Sequence, residues 1–182
     1  MVNEMSWYVI FVETGYEDEF CRYTNKINNQ RHKEIQYNLL VPKRKIFERK
    51  QGIRREVVKT MFPGYVLLET EFISKFFLKA RSSPHVIRFL RVDSCFLEVR
   101  KEEIRQILKM SDSGGLIDIS KGFIENDKVK IVEGPLLGME GVITKIDKRK
   151  GRAKVKFTLS ERDLLIDLGI EILEKIVKRE RV

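Results

Sequence analysis

The 182-residue sequence predicts an α+β protein of two domains: a mixed strand-and-helix domain over 1–110 and an all-β domain over 123–182. Three observations carry this expectation. Strand and helix periodicities alternate through the first 110 residues. Residues 111–122 (SDSGGLIDISKG) drop both periodicities and collect Ser, Gly and Asp, as a flexible linker does. Strand signals then recur near 128–133, 141–147, 152–159, 163–168 and 170–176, a spacing over about 60 residues that suits a small closed barrel.

Ser6 to Val12 (SWYVIFV) opens the chain as a strand, with Trp7, Val9 and Phe11 on one face and Tyr8, Ile10 and Val12 on the other. Both faces are apolar, so the strand is central or one face meets something else. Glu17, Asp18 and Glu19 place negative charge where a helix begins, and Phe20, Tyr23 and Ile27 continue it over about 16–29. Leu39–Val41 is a short strand ended by Pro42. Residues 43–50 and 53–61 form a ribbon turning at Lys50-Gln51-Gly52. Tyr65–Glu69 is a core strand entered through Phe62-Pro63-Gly64. Ile73, Phe76, Phe77 and Ala80 mark a second helix, Val86–Val92 and Phe96–Val99 two more strands, and Glu102, Glu103, Ile104, Ile107 and Leu108 a third helix. In the second domain Val129 and Ile131 alternate with lysines, and Gly134, Gly138 and Gly141 break the chain. Asp147-Lys148-Arg149-Lys150-Gly151-Arg152 then reverses a hairpin.

The net charge is +9, from 36 basic and 27 acidic residues. It concentrates in two places. From Lys43 to Lys59 eight basic residues stand against Glu48 and Glu56; from Lys145 to Lys156 seven stand against Asp147 alone. Charge of one sign gathered on hairpins points to a polyanion, nucleic acid before anionic membrane, with a solvated turn as the competing reading. No apolar run approaches the roughly 18 residues of a spanning helix, and the start MVNEMSWYVIF lacks a basic signal-peptide end. Cys21 and Cys95 are isolated, as thiols are in a reducing cytoplasm, where the protein is expected. There is no phosphate-cradling GxxxxGK and no HExxH, and His32 and His85 lie without catalytic partners. No enzyme, metal or cofactor is expected, and no second copy of the chain.

Ser6-Trp7-Tyr8-Val9, Phe62-Pro63-Gly64-Tyr65-Val66 and Val86-Ile87-Arg88-Phe89 resemble the marks of NusG-type transcription elongation factors. The stretch Asp127–Ile146, with Gly134-Pro135 and Gly141-Val142, resembles the KOW motif that closes such chains. The resemblance spans both domains. It implies a first domain of antiparallel sheet with flanking helices and a second, SH3-like KOW barrel. It further implies that the first domain docks through a hydrophobic depression on the clamp helices of RNA polymerase and suppresses pausing. The barrel then recruits Rho, a ribosomal protein or RNA.

Carried over residue by residue, the polymerase contacts are Phe11, Phe62, Pro63 and Leu67, and Phe89. An open sheet face bearing the first four needs a cover. Trp7, Val9 and Tyr65 are assigned to the core. The ribbon corresponds to a family hairpin near upstream or non-template DNA, with Lys43, Arg44, Lys45, Arg49, Lys50, Arg54, Arg55 and Lys59 as phosphate contacts. Leu136 and Met139 stand where housekeeping members carry aromatics that meet Rho and the ribosomal partner. With the basic tip, this looks most like the specialised LoaP-type antiterminators, which implies a structured leader RNA held by Lys145, Lys148, Arg149, Lys150, Arg152, Lys154 and Lys156. A housekeeping factor and a stand-alone KOW RNA-binding module are the alternatives. Some specialised relatives hold this domain as a helical hairpin over the polymerase site; Gly169 and the Ile/Val content of 164–176 favour strands here.

Overall fold

The structure, a computed structural model, describes residues 5–30, 35–125 and 128–173. The first domain is built on β1 (Ser6–Val12), which leads into α1 (Glu17–Gln30) and β2 (Tyr37–Leu40). The ribbon follows as β3 (Lys43–Lys50) and β4 (Ile53–Thr60), then β5 (Tyr65–Thr70), α2 (Ile73–Ala80) and β6 (Val86–Phe89). Short strands β7 (Arg91–Val92), β8 (Cys95–Phe96) and β9 (Glu98–Val99) lead to α3 (Lys101–Met110). The central sheet runs β2-β5-β1-β6, with β9 also paired to β1, and every pairing in it is antiparallel.

β1 has the two apolar faces its sequence carries. Tyr8, Ile10 and Val12 pack with Phe20, Phe76 and Ala80 under α1 and α2. Val9, with Trp7 and Phe11 beside it, belongs to a second cluster on the opposite face. The buried side of α1 is Glu17, Phe20, Thr24 and Asn28, not Phe20, Tyr23 and Ile27, and Tyr23 is exposed. Two members of this polar stripe are bonded, Asn28 Nδ2 donating to the Ile35 carbonyl and accepting Lys79 Nζ at Oδ1, and Glu17 accepting a backbone N–H, whereas Thr24 Oγ1 is buried with no hydrogen-bond partner among the described residues.

Residues 111–122, expected as a free linker, carry β10 (Leu116–Ile117), which pairs in parallel with the start of β3, and the start of β11 (Ser120–Glu125). Asp112 Oδ1 accepts from the Gly114 and Leu116 N–H groups, and Asp118 pairs with Lys45 at 2.9 Å. That lysine, chiefly through its hydrogen bond, holds the Asp118 carboxyl below its usual value. Ser and Asp here fasten the backbone locally, which composition alone does not distinguish from a loose tether.

The second domain adds β12 (Lys128–Glu133), β13 (Ile143–Asp147), β14 (Arg152–Leu159) and β15 (Arg162–Leu173), in the order β12-β11-β15-β14-β13. Ala153, Val155, Phe157 and Leu159 of β14 are all buried, the period of a strand with one face inward. The two strands expected at 163–168 and 170–176 are one strand that passes through Gly169; residues 174–176 lie outside the described residues. The segment expected as one strand over Val86–Val92 is divided at Leu90 into β6 and β7, because Leu90 turns its N–H to the Val9 carbonyl while β7 pairs with β8.

Candidate functional site

The FPGY turn between β4 and β5 is held from beneath by a carboxylate. Glu17, buried at the start of α1, accepts the Gly64 N–H at 2.6 Å and the Gly15 N–H at 3.1 Å. The acidic first turn of α1 therefore does more than complement a helix dipole: it fixes the turn that presents Phe62. Glu17→Ala leaves the Gly64 N–H buried without a partner. It is expected to cost about 1–3 kcal/mol, read as a lower urea midpoint at unchanged m-value.

The apolar face expected to be open is covered by the chain's own second domain. Val9, Met61, Phe62, Leu67, Ile104 and Ile107 of the first domain form one cluster with Val155, Phe157, Leu168 and Ile170 of the second. Phe62 is 2% exposed, and its ring meets Phe157 edge-on at 6.0 Å between centroids. Phe11 packs at the edge of this cluster against Tyr65 at 4.7 Å, with the Arg88 guanidinium over its other side. Leu67 is fully buried there, and Pro63 remains exposed at the rim. Trp7, Val9 and Tyr65, assigned to the core, belong to the same cluster. Phe89 does not join these residues. It lies under the helices with Phe76, Phe77 and Phe96, at centroid distances of 6.2, 5.1 and 6.2 Å. Phe89 stands opposite Ile10, and the register shift that leaves Ile87 of β6 unpaired between Val86 (opposite Val12) and Arg88 (opposite Phe11) puts both Val86 and Phe89 on the helix-covered face.

Polar contacts lock the same junction. Arg44 Nη1 donates to the Asp167 carbonyl at 2.6 Å, and Arg152 Nη2 donates to the Phe47 carbonyl. Gln106 of α3 donates to the Lys156 carbonyl. Glu103, 6% exposed, accepts the Ser160 N–H at 2.9 Å and pairs with Arg100. Gly169 permits a close approach at the junction: a Cβ there would stand 2.6 Å from the Lys45 carbonyl oxygen and 2.8 Å from Ile119 Cγ1. In the sequence it signals a helix breaker; in the structure it lets β15 lie against β3.

The two basic clusters also meet. Arg49 and Arg54 from the β3–β4 hairpin, and Arg149, Lys150 and Arg152 from the β13–β14 turn, line one cleft of about 510 Å³ with Phe47 and Glu48. The Arg54 guanidinium lies 3.5 Å above the Phe47 ring. The only acid in the tip, Asp147, accepts the Lys150 N–H and so shapes the turn; that bond, ahead of the surrounding cations, lowers its pKa. Other expected contacts are turned to internal partners. Lys43 pairs with Asp18, Lys59 with Glu48, Lys154 with Asp167 and Lys156 with Asp163, all at 2.7–2.8 Å. Lys50, Arg55, Lys145 and Lys148 are exposed on the flanks. Leu136, expected at a partner-binding surface, is 1% exposed, and its N–H is bonded to Ser120 Oγ.

Residues 5–108 match the family model described as transcription termination factor nusG, and residues 125–156 match that of the KOW motif. The chain belongs to the NusG family. It is 27% identical over 172 residues to the transcription termination/antitermination protein NusG of Pasteurella multocida, covering 93% of this chain and 94% of that one. It is also 27% identical over 178 residues to the NusG of Haemophilus influenzae, covering 96% of each. A solved structure on domain interaction in Thermotoga maritima NusG aligns over 91% of this chain and 94% of that one, with a TM-score of 0.55 at 21% identity, which shows a shared fold. The chain is thus a NusG-like transcription termination/antitermination factor with an α+β first domain and a β-rich KOW domain. A stand-alone RNA-binding module would leave residues 5–108 without a role. Among the described residues no helix is long and apolar enough to cross a membrane.

Proposed function

We propose that the chain acts on transcribing RNA polymerase through the apolar face of its first domain, centred on Phe62, and that the docked barrel keeps this face covered until it is displaced. The observation that carries this reading is the burial of Phe62 against Phe157 of the other domain. Aromatic anchors dominate interface energetics, and an apolar face of this kind without a cover invites non-specific association. Phe11, Pro63 and Leu67 complete the contact, with the clamp helices of the polymerase as its partner and suppression of pausing as its effect. The covering domain is built of strands, so masking here needs no helical form of the barrel.

The β3–β4 hairpin would then lie along upstream or non-template DNA, with Arg49, Lys50, Arg54 and Arg55 on phosphates. The barrel tip, through Lys145, Lys148, Arg149 and Lys150, meets a structured leader RNA. This is the finer reading of the chain as a specialised antiterminator of the LoaP type. It rests on the basic tip alone, because Leu136 is a core residue and not a lost surface aromatic. Single-round transcription through an intrinsic terminator, with and without candidate leader RNA, tests it. Read-through that requires the leader is expected; equal read-through on both templates contradicts the leader-dependent reading.

A further inference from the structure

The cleft at the domain junction is assembled from both domains, with lining residues from each. Arg49 and Arg54 come from one hairpin and Arg149, Lys150 and Arg152 from the other, and the acid on its wall, Glu48, is paired with Lys59 at 2.7 Å. Its volume of about 510 Å³ falls within the roughly 300–1,000 Å³ of ordinary ligand clefts. Gly151 is required at its base, where φ is +63° and a Cβ would stand 2.9 Å from the Ile170 carbonyl oxygen, 3.1 Å from the Phe47 ring and 3.4 Å from Arg54 Nη2.

We propose that this cleft is a single phosphodiester-binding site that exists only while the barrel is docked, so that a nucleic-acid strand held there keeps the polymerase-facing surface covered. The proposal rests on the reading that the barrel tip meets nucleic acid, and it adds the second wall and the dependence on closure. The junction has cations in excess. Nη1 of Arg152 and Nε of Arg44 are buried with no hydrogen-bond partner among the described residues. Burial lowers the pKa of both guanidinium groups, and Arg152 further disfavours the charge on Arg44. A phosphate beside Arg152 offsets that cost in the closed form and has no equivalent in the separated domains. The Arg54 guanidinium, held over the Phe47 ring, offers a planar donor array of the kind that matches a phosphate. By linkage, a ligand that binds only the closed form opposes release of the barrel, and polymerase docking in turn weakens the ligand. A leader strand emerging from the polymerase would raise the local concentration of the closed factor there, so leader-dependent read-through arises from recruitment, completed when the apolar contact displaces the strand.

The test uses the full chain and fluorescence anisotropy with a fluorescein-labelled RNA hairpin, and a DNA hairpin of the same sequence, over a salt series. One variant carries Arg49→Glu and Arg54→Glu, a second Arg149→Glu and Lys150→Glu, and a control Arg22→Glu and Lys26→Glu on α1. All but Arg152 among the cleft cations are exposed, as are the control residues, so folding is retained and thermal melting verifies it. Both cleft variants are expected to lose about tenfold or more in affinity relative to the control and to flatten the salt slope by about one unit per lost phosphate contact. Loss in the barrel variant only overturns the shared site and leaves the tip reading standing. Loss in the hairpin variant only overturns both, as does no loss beyond the control. Gly169→Val, which separates the domains, should weaken the RNA as much as either cleft variant; undiminished affinity overturns the dependence on closure. Tighter RNA than DNA binding assigns the strand to the transcript, the reverse assigns it to DNA near the polymerase, and either supports a phosphodiester site.

Discussion

Gly169→Val is expected to release the barrel from the first domain while leaving each domain folded. The backbone at Gly169 is ordinary extended strand, paired with Arg152 of β14, so a β-branched residue suits the barrel itself. What it cannot suit is the junction, where its Cβ would press on the Lys45 carbonyl oxygen at 2.6 Å and lie 3.4 Å from the Ile46 Cα, both backbone atoms of a neighbouring strand. Overpacking of this kind costs about 1–3 kcal/mol. That is a shift of roughly five- to 150-fold toward the open form. Small-angle scattering should show a larger radius of gyration, and amide exchange should rise in β3 and α3 while strands β13 to β15 stay protected.

Phe62→Ala should act in the opposite direction on function while also opening the junction. The ring is nearly fully buried between Phe157 and the sheet, and truncating a core phenylalanine costs about 3–5 kcal/mol. Both variants weaken the grip of the barrel, but only Phe62→Ala removes the anchor proposed for the polymerase. Capture on immobilised core RNA polymerase should therefore rise for Gly169→Val and fall for Phe62→Ala. A purely structural role for Phe62 would lower stability in both and leave capture tracking the folded fraction.

Much of the first domain was legible from periodicity and punctuation. The two apolar faces of SWYVIFV demanded a cover on each side, and both covers exist, one of helices and one of the barrel. The ribbon at 43–60 and its turn were visible in the alternation around Gln51-Gly52. What the sequence could not disclose is partnership across distance. Leu67 and Val155 are alternating strand residues in either reading, and nothing local says that they share a core. Glu103 and Ser120 look like surface residues, yet each is buried because it bonds a backbone N–H in another element. Phe89 illustrates the converse case: a one-residue choice of strand face decides between the two sides of the sheet, and the extra residue Ile87 in β6 makes that choice. The two charge clusters were each plain in the sequence, but their meeting in one cleft depends on the docked barrel.

The central claim is that the face buried by the barrel is the face that takes the polymerase. The affinity of the full chain for core RNA polymerase, compared with that of Gly169→Val at equal folded fraction, tests it most directly. Tighter binding by the variant is expected, by up to the roughly five- to 150-fold shift in the closed–open equilibrium. Unchanged or weaker binding by a variant whose domains have demonstrably separated would contradict it.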